Sequence, residues 1–454
     1  MRLPIVSVVH ELAPPGRKFL FFSFFNVISW QCVVGPAMIL FARKLDMPAS
    51  WVGFLISFLP LTMIIVLFTV PLVTRLGPKH VMLRGWLSRN VIMSLVFLMP
   101  LAVRFWGQRA GWYVLIVATL GFCIVRAIAV GGWFPWLHEV LSEDERGSFF
   151  SAEATVVQAV NVAIVLSQSV VLSGNPGMGR FLSIYAVGIL AGLFSLYYMK
   201  RIPGGGPPET DEQEVSGWQA YRLVFRNRHY VAFILTGIYC FSCLAWFGSA
   251  LVLYMRDALQ LPSMAIMAVM AAGSAGILLT IRSWGRFADH SGSSTAMALS
   301  LIGHSLAALG FLLLRPGAPW TNYLLAPVVC IISLFNAACW TAGHRAMLNF
   351  VREEGRVAYT NIWIISTSAA LGFTPIIVGF VIDHWHLDGF RFCFTLSGLA
   401  GFAGAVGCRL FVTDGPPFTR PLRDLLNPGL PVRTLARIAW ITAGLHPSNR
   451  ERGM

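Results

Sequence analysis

The stretch GPAMILFAR, Gly35 to Arg43, returns as GSALVLYMR, Gly248 to Arg256, 213 residues later. Glycine, alanine, leucine, an aromatic residue and arginine occupy matching positions in the two copies. Gly77 and Gly292 match in the same way at a separation of 215 residues. Two nearly equal separations indicate that one half of the chain duplicates the other. The sequence therefore predicts two similar structural units in succession.

The chain around these copies is strongly apolar. Of its 454 residues, 56% are hydrophobic and 12% are charged, whereas soluble domains carry about 25% charged residues. One soluble core cannot bury so many apolar runs of about 20 residues, each long enough to cross a membrane. We therefore expect an all-α membrane protein with twelve transmembrane helices in two six-helix pseudo-repeats. The spans are placed at 19–41, 51–73, 82–103, 111–135, 150–173, 182–199, 229–255, 264–283, 295–314, 322–346, 359–382 and 391–412.

Positive charges predict the orientation of these spans. With an even number of spans both chain ends lie on one side, and that side carries roughly three times as many lysines and arginines as the other. Arg75, Lys79, Arg84 and Arg89 belong to this richer set. Because positive loops stay in the cytoplasm, we expect both termini there, in a multi-pass protein of the cell membrane. The net charge of +14 comes from short connectors and a tail, so it does not predict nucleic-acid binding.

The boundaries of the units follow from composition. A cytoplasmic segment, 1–18, precedes the first bundle, 19–199, and a linker rich in Gly and Pro, 200–228, separates it from the second bundle, 229–412. The tail, 413–454, has apolar residues at three-residue spacing interleaved with arginines. This pattern predicts a basic amphipathic segment on the inner leaflet, and a partner-binding tail is the alternative.

The stretch WGRFADHSG, Trp284 to Gly292, places charge and glycine between the predicted eighth and ninth spans. Its glycine, aspartate and glycine, Gly285, Asp289 and Gly292, resemble a loop motif of the major facilitator superfamily of transporters. The first-half copy keeps Arg75 and Gly77 but has threonine in place of the aspartate. The resemblance covers about residues 19–412. It implies two parallel bundles that rock around a solute site between them.

On this resemblance the loop residues control opening and closing. We expect Asp289 to cap the eleventh span and to pair with Arg345, Arg352 or Arg356, forming a latch between the two halves that holds the cytoplasmic side shut. Arg146 and its neighbouring acids are the counterpart in the first half. The alternative is that these charges are solvated helix ends, with acids favoured by the helix dipole.

Arg126 lies inside the fourth span, where an arginine costs several kcal/mol unless it faces a cavity or a partner. It resembles the arginine of the superfamily's fourth-span motif. The role in substrate or proton coupling and a structural role in pinning helices both remain open. Residues that can titrate within or near the spans are Glu153, His304 and His344, and a lone histidine in a span is more often a hydrogen-bonded structural residue than a proton relay. Coupling to a proton and facilitated diffusion therefore both remain open.

The first, fourth, seventh and tenth spans line the solute site in the superfamily. Their polar and aromatic residues predict contacts with a solute, and packing within the bundle is the alternative for each aromatic. No acid lies at mid-membrane, which favours a small neutral or anionic organic solute such as a sugar or a carboxylate. The predicted substrate-binding residues are Asn26, Trp30, Gln31, Arg126, Tyr239, Trp246, Asn336 and Trp340.

Other functions receive less support. The eight cysteines fall in apolar runs and imply neither disulfides nor a metal site, and no nucleotide-binding loop is present, so we expect no cofactor. A multi-pass enzyme acting on lipid or sugar requires a larger extramembrane loop than any between these spans. A solute sensor on the same bundle remains the other alternative. We expect a monomer that contacts lipid and solute and does not act as an enzyme.

Overall fold

The computed structural model of the chain describes residues 14–141, 143–207, 218–350 and 356–412, and almost all of them are helical. The predicted tail, 413–454, most of the N-terminal segment and much of the linker lie outside the described residues. Ten membrane helices are separate: α1 Pro14–Lys44, α2 Ala49–Phe68, α3 Pro78–Trp106, α4 Gln108–Val130, α5 Glu143–Val171, α6 Met178–Lys200, α7 Arg228–Ala258, α8 Ser263–Ser291, α9 Ser293–Phe311 and α10 Thr321–Phe350.

The remaining helical run, Arg356–Phe411, contains two spans. Its helix breaks at His386, where φ is 47°, so we name the part before this residue α11 and the part after it α12. The described residues therefore hold the twelve predicted spans. Several helices extend past the predicted apolar limits, since α5 begins at Glu143 and α8 ends at Ser291. A polar turn continues a helix once the apolar part has nucleated it.

The duplication is repeated in the backbone. Gly77, between α2 and α3, has φ 81° and ψ 142°, and its counterpart Gly292, between α8 and α9, has φ 85° and ψ 151°. Asp46 and Gln260 follow α1 and α7, and both have positive φ, 55° and 54°. Such values are unusual for residues other than glycine. The two halves therefore share turn geometry as well as sequence.

Two helix pairs connect the bundles: α2 packs along α11, and α5 packs along α8. Small residues bring α2 and α11 close together. A Cβ on Gly53 would lie 2.3 Å from the carbonyl oxygen of Pro375, and one on Gly379 would lie 2.5 Å from that of Ala49. Neither position has space for a side chain. The two backbones are thus in direct contact where α2 begins.

The bundles separate towards one end. We name the end where α1 begins and α12 ends the terminal end, and the opposite one the far end. The largest apolar cluster continues through both bundles at the far end, and its members include Phe41, Phe247 and Phe394. At the terminal end each bundle has its own cluster, around Trp136 in the first and Trp363 in the second. The molecule is therefore closed at the far end and divided at the terminal end.

Exposed side chains on the connecting helices agree with this division. Phe68 on α2 and Leu279 on α8 are each 72% exposed, and both lie in the terminal-side half of their helix. Burying a Phe or Leu side chain stabilises a protein by about 1.5–3 kcal/mol. These residues are available for contact if the terminal end closes.

Candidate functional site

A buried arginine lies at the centre of the first bundle. Arg89, counted above among the charges of the cytoplasmic side, is instead 0% exposed within α3. Its Nη2 donates to Oδ1 of Asn26 at 2.8 Å, and Nε1 of Trp86 donates to the same oxygen at 3.1 Å. The guanidinium also lies over the rings of Trp86 and Phe122, at 4.3 and 5.1 Å. Asn26, predicted to contact solute, thus holds this arginine in place.

Arg126 lies beside this group on α4 and is partly buried. Its Nη1 is 3.5 Å from Sδ of Met63 on α2, and a thioether is a weak acceptor. Met63 is two residues beyond Leu61, which packs against Gly372 of α11 in the other bundle. Arg126 therefore lies next to the level at which the two bundles meet.

Two other first-bundle candidates have structural partners. Glu153 on α5 accepts a hydrogen bond of 2.5 Å from Oγ of Ser23 on α1, and its side chain is partly buried. Gln31 is 5% exposed and packs against Gly35, while its backbone oxygen lies 3.5 Å from Nε2 of Gln168. Trp30 is partly buried on the same helix. Glu153 thus joins two helices in addition to bearing a carboxylate.

His304 is embedded in the second bundle. It is 0% exposed, and its Nε2 lies 2.9 Å from Oγ of Ser397 on α12. That hydroxyl donates its only proton to the backbone oxygen of Cys243 at 2.6 Å. Ser397 must therefore accept from His304, which fixes the proton on Nε2. This chain of bonds ties α9 to α12 and α7, as expected for a structural histidine.

Asn336, Trp340 and His344 lie four residues apart and so share one face of α10. The ring of Trp340 stacks on His344 at 5.5 Å and contacts Phe241 at 4.5 Å. Nδ1 of His344 donates to the backbone oxygen of Trp340 at 2.8 Å, which leaves Nε2 as the acceptor in the neutral ring. Oδ1 of Asn336 is buried without a hydrogen-bond partner. This face thus combines an exposed aromatic ring with unused polar groups.

Tyr239 and Trp246, the candidates on α7, pack against α12. The hydroxyl of Tyr239 donates to the backbone oxygen of Ala400 at 3.1 Å. Trp246 makes an edge contact with Phe392 at 6.0 Å. These described contacts of Tyr239 and Trp246 thus involve α12 and not the Trp340 cluster. Their proposed contact with solute remains a prediction.

The far end is closed by charged groups whose pairing the sequence does not reveal. Nη2 of Arg43 on α1 lies 2.9 Å from Oδ2 of Asp257 on α7, and Nε lies 3.1 Å from Oδ1. Asp383 on α11 accepts from the backbone N–H groups of Ala49 and Ser50 at 2.9 and 2.8 Å. It therefore caps α2 from the opposite bundle. We name Arg43, Asp257 and Asp383 the far-end gate; they line a cavity of about 420 Å³.

Polar contacts also join α5 to α8. Nδ2 of Asn161 donates to Oγ of Ser274 at 3.1 Å, and Oγ of Ser169 donates to the backbone oxygen of Met264 at 2.8 Å. Both contacts lie on the far-end side of these helices or near their middle. Together with the far-end gate they connect the two bundles.

The motif between α8 and α9 contains the expected ion pair. Oδ1 of Asp289 accepts from Nε of Arg345 at 2.9 Å, and Nη1 of Arg345 donates to Oγ of Ser293 at 2.9 Å. Both charged residues belong to the second bundle, so this bond fixes the α8–α9 turn to α10 and does not itself cross between bundles. The side chains of Arg146 and Arg356, and all of Arg352, lie outside the described part of the structure.

The corresponding turn in the first bundle uses different partners. Arg75 is exposed, and the backbone N–H of Lys79 donates to the oxygen of Gly205 at 3.1 Å. The carboxylate of Glu139 accepts from the N–H of Gly205 at 2.9 Å. This turn is thus attached to the chain that follows α6. The two copies of the motif make different contacts, in keeping with the missing aspartate.

Comparisons with known proteins agree with this architecture. The model of the Major Facilitator Superfamily matches residues 19–332 and 238–444. No curated protein sequence matches the chain. A crystal structure of the nucleoside transporter NupG, determined on a point mutant, superposes with a TM-score of 0.67 at 13% identity, covering 88% of this chain and 100% of that one.

Two further structures are similar at the same coverage of this chain, 88%. A D-xylose-proton symporter has a TM-score of 0.65 at 12% identity, with 98% of its own chain covered. A bacterial homologue of the iron transporter ferroportin, in an inward-facing state, has a TM-score of 0.63 at 11% identity, also with 98% covered. These likenesses define the fold.

Twelve spans in two repeated bundles, closed at one end and divided at the other, define a secondary transporter of the membrane. The chain belongs to the Major Facilitator Superfamily.

Proposed function

We propose that the protein moves a small neutral or anionic organic solute across the cytoplasmic membrane by alternating access. The observation that carries this proposal is the asymmetric closure. The far-end gate and one continuous apolar cluster join the bundles at the far end, while the terminal end has a separate cluster in each bundle. Arg126 and the Asn336 face of α10 lie on the helices between these ends. A solute bound there is accessible from the terminal end alone.

The distribution of positive charge supports a cytoplasmic terminal end. Arg17, Lys18, Arg84, Lys200 and Arg201 are among the charges there. The richer end faces the cytoplasm under the positive-inside rule. The structure then corresponds to an inward-open state, and the far-end gate faces the outside.

Proton coupling is part of the proposal. Glu153 is a carboxylate within the apolar part of α5, and its hydrogen bond from Ser23 is one that a protonated or an ionised carboxyl can accept. Intramembrane carboxyls of this kind serve as proton relays in transporters. His344 is the second candidate, because its Nε2 remains available for a proton. Arg75 and Arg345, with the glycines of the two turns, then act in gating and not in coupling.

Uptake into proteoliposomes tests the function directly. Purified protein is reconstituted and presented with a panel of sugars, nucleosides, carboxylates and sugar phosphates, with and without an inward proton gradient. We expect saturable uptake of at least one solute, accelerated by the gradient in the parent protein and insensitive to it in Glu153→Gln. Arg109→Gln, which changes an exposed arginine at the far end, is the matched control and keeps parental uptake. Binding of a solute without flux supports a sensor and contradicts transport.

A further inference from the structure

Two arginines within the first bundle have no described acid to balance them. Nη2 of Arg89 bonds a neutral amide oxygen, and both Nε and Nη1 of the same residue are buried without a hydrogen-bond partner. Arg126 has a thioether as its described acceptor. Arg126 lies near enough to act electrostatically on Arg89, and it has the same sign of charge. The pair thus concentrates positive charge in one place.

The acid on a neighbouring helix forms no described ion pair with these arginines. The described hydrogen bond of the Glu153 carboxylate comes from Ser23. Asn26 has already committed its oxygen to Trp86 and Arg89. An isolated guanidinium is costly inside a membrane, and arginines there almost always face a cavity or pair with another group. An anionic group from outside the described residues would supply the partner that these residues do not.

The two arginines differ in access. Arg89 is 0% exposed and clamped between Trp86 and Phe122, so it acts as a fixed charge. Arg126 is partly exposed and lies next to Met63, close to the level where the bundles meet. A guanidinium group can bind a planar oxyanion in a bidentate manner through two of its N–H groups. Arg126 is therefore the residue that a ligand can reach.

We infer that the transported solute is an organic anion whose carboxylate or phosphate binds Arg126, with Arg89 fixed behind it as a second positive charge. This inference rests on the proposed function and narrows it, since a neutral solute would leave both charges unbalanced. Arg126 is a substrate-binding residue, and Arg89 is a positioning residue that raises the local potential.

Matched pairs of solutes test the inference. Proteoliposomes and the purified full chain are presented with gluconate and glucose, with glycerol phosphate and glycerol, and with lactate and lactamide. We expect one anionic member to be bound and taken up at least tenfold better than its neutral partner. The neutral partner cannot form the charge-assisted bidentate bond, and this bond favours binding of the anion by about tenfold or more. The carboxylate and phosphate pairs distinguish the two sources of the oxyanion. Arg126→Gln removes this preference, and Arg126→Lys restores part of it.

Controls separate loss of binding from loss of fold. Arg84→Gln changes an exposed arginine on α3, five residues before Arg89, and keeps parental preference. Arg89→Gln retains an amide that can bond Asn26, so a monodisperse protein with a raised KM for the anion supports the positioning role. Uptake of a neutral member that is unchanged in Arg126→Gln overturns the inference and leaves the proposed function intact. Absence of uptake of every solute overturns both.

Discussion

At the residue scale, the two glycines of the stretch WGRFADHSG, Gly285 and Gly292, differ in whether they can be replaced by a residue with a side chain. Gly292 has φ 85° and ψ 151°, a region that a side chain occupies only at a cost of about 1–3 kcal/mol. A Cβ on Gly285 would meet only Cγ2 of Thr341, at 4.0 Å. We expect Gly292→Ala to lower the stability of the protein in detergent by this amount and Gly285→Ala to leave it unchanged. Thermal unfolding of the two variants checks this, and equal melting temperatures would contradict it.

The Asp289–Arg345 pair makes a second prediction at this scale. Its side chains are 64% and 30% exposed, so the pair contributes only about 0–1 kcal/mol to stability. We expect Asp289→Asn to leave the unfolding midpoint nearly unchanged but to slow uptake, because the α8–α9 turn loses its bond to α10. Asp388→Asn breaks another exposed ion pair, with Arg391, and serves as the control. Uptake reduced equally in both variants would show that the effect is not specific to the turn.

The sequence identified Arg126 but misplaced Arg89, and the reason is physical. Arg126 stands alone in an apolar run, where any charge is conspicuous. Arg89 follows Arg84 and precedes Asn90, so its surroundings are typical of a helix end. Its burial depends on Asn26 and Trp86, which only the packing of α1 on α3 brings together. The polar Asn26, within the predicted first span, is a sequence signal that could have indicated a partner for Arg89.

At the scale of helices, hydropathy predicted the spans well, because length and apolar content decide which segments cross a membrane. The far-end gate was not predictable in the same way. Arg43 ends the repeated stretch and Asp257 follows its second copy, but their contact depends on the angle between the bundles. Asp383 lies just past the predicted end of the eleventh span, in a stretch, VIDHWHLDGF, whose sequence does not reveal that it caps α2.

Loss of the far-end gate is expected to open the far end. Arg43 and Asp257 are each 24% exposed, so their pairing is screened in part and contributes about 1 kcal/mol or less. Asp257→Asn should then raise the open population by about two- to fivefold. A cysteine introduced by Ser169→Cys, at a position only 4% exposed, measures this population, because an impermeant maleimide labels it faster when the far end is open.

Exchanging the two charges tests whether the effect of Asp257→Asn on the open population depends on the ion pair itself. Arg43→Asp combined with Asp257→Arg restores an ion pair of opposite sense, and labelling of Ser169→Cys should return towards the parental rate. Seven of the eight native cysteines are buried, and Cys330→Ser removes the remaining one from the background. Unchanged labelling in Asp257→Asn would show that the apolar cluster alone keeps the far end closed.

At the scale of the whole molecule, the duplication provides a structural basis for the proposed alternation, in which one end closes as the other opens. The two bundles share backbone turns at Gly77 and Gly292 and meet through α2 with α11 and α5 with α8. Packed interfaces have discrete arrangements and do not deform continuously. In the proposed rocking motion, a rotation that buries Phe68 and Leu279 at the terminal end separates the groups of the far-end gate.

Distances between spin labels at the two ends test this central claim most directly. One pair, on Arg84 and Leu348, spans the bundles at the terminal end, and the other, on Lys44 and Arg315, spans them at the far end; all four residues are exposed. In nanodiscs with a transported solute we expect the terminal-end distance to shorten in a fraction of molecules and the far-end distance to lengthen in a similar fraction. Two distances that stay fixed, or that change in the same direction, would contradict alternating access by rocking of the bundles.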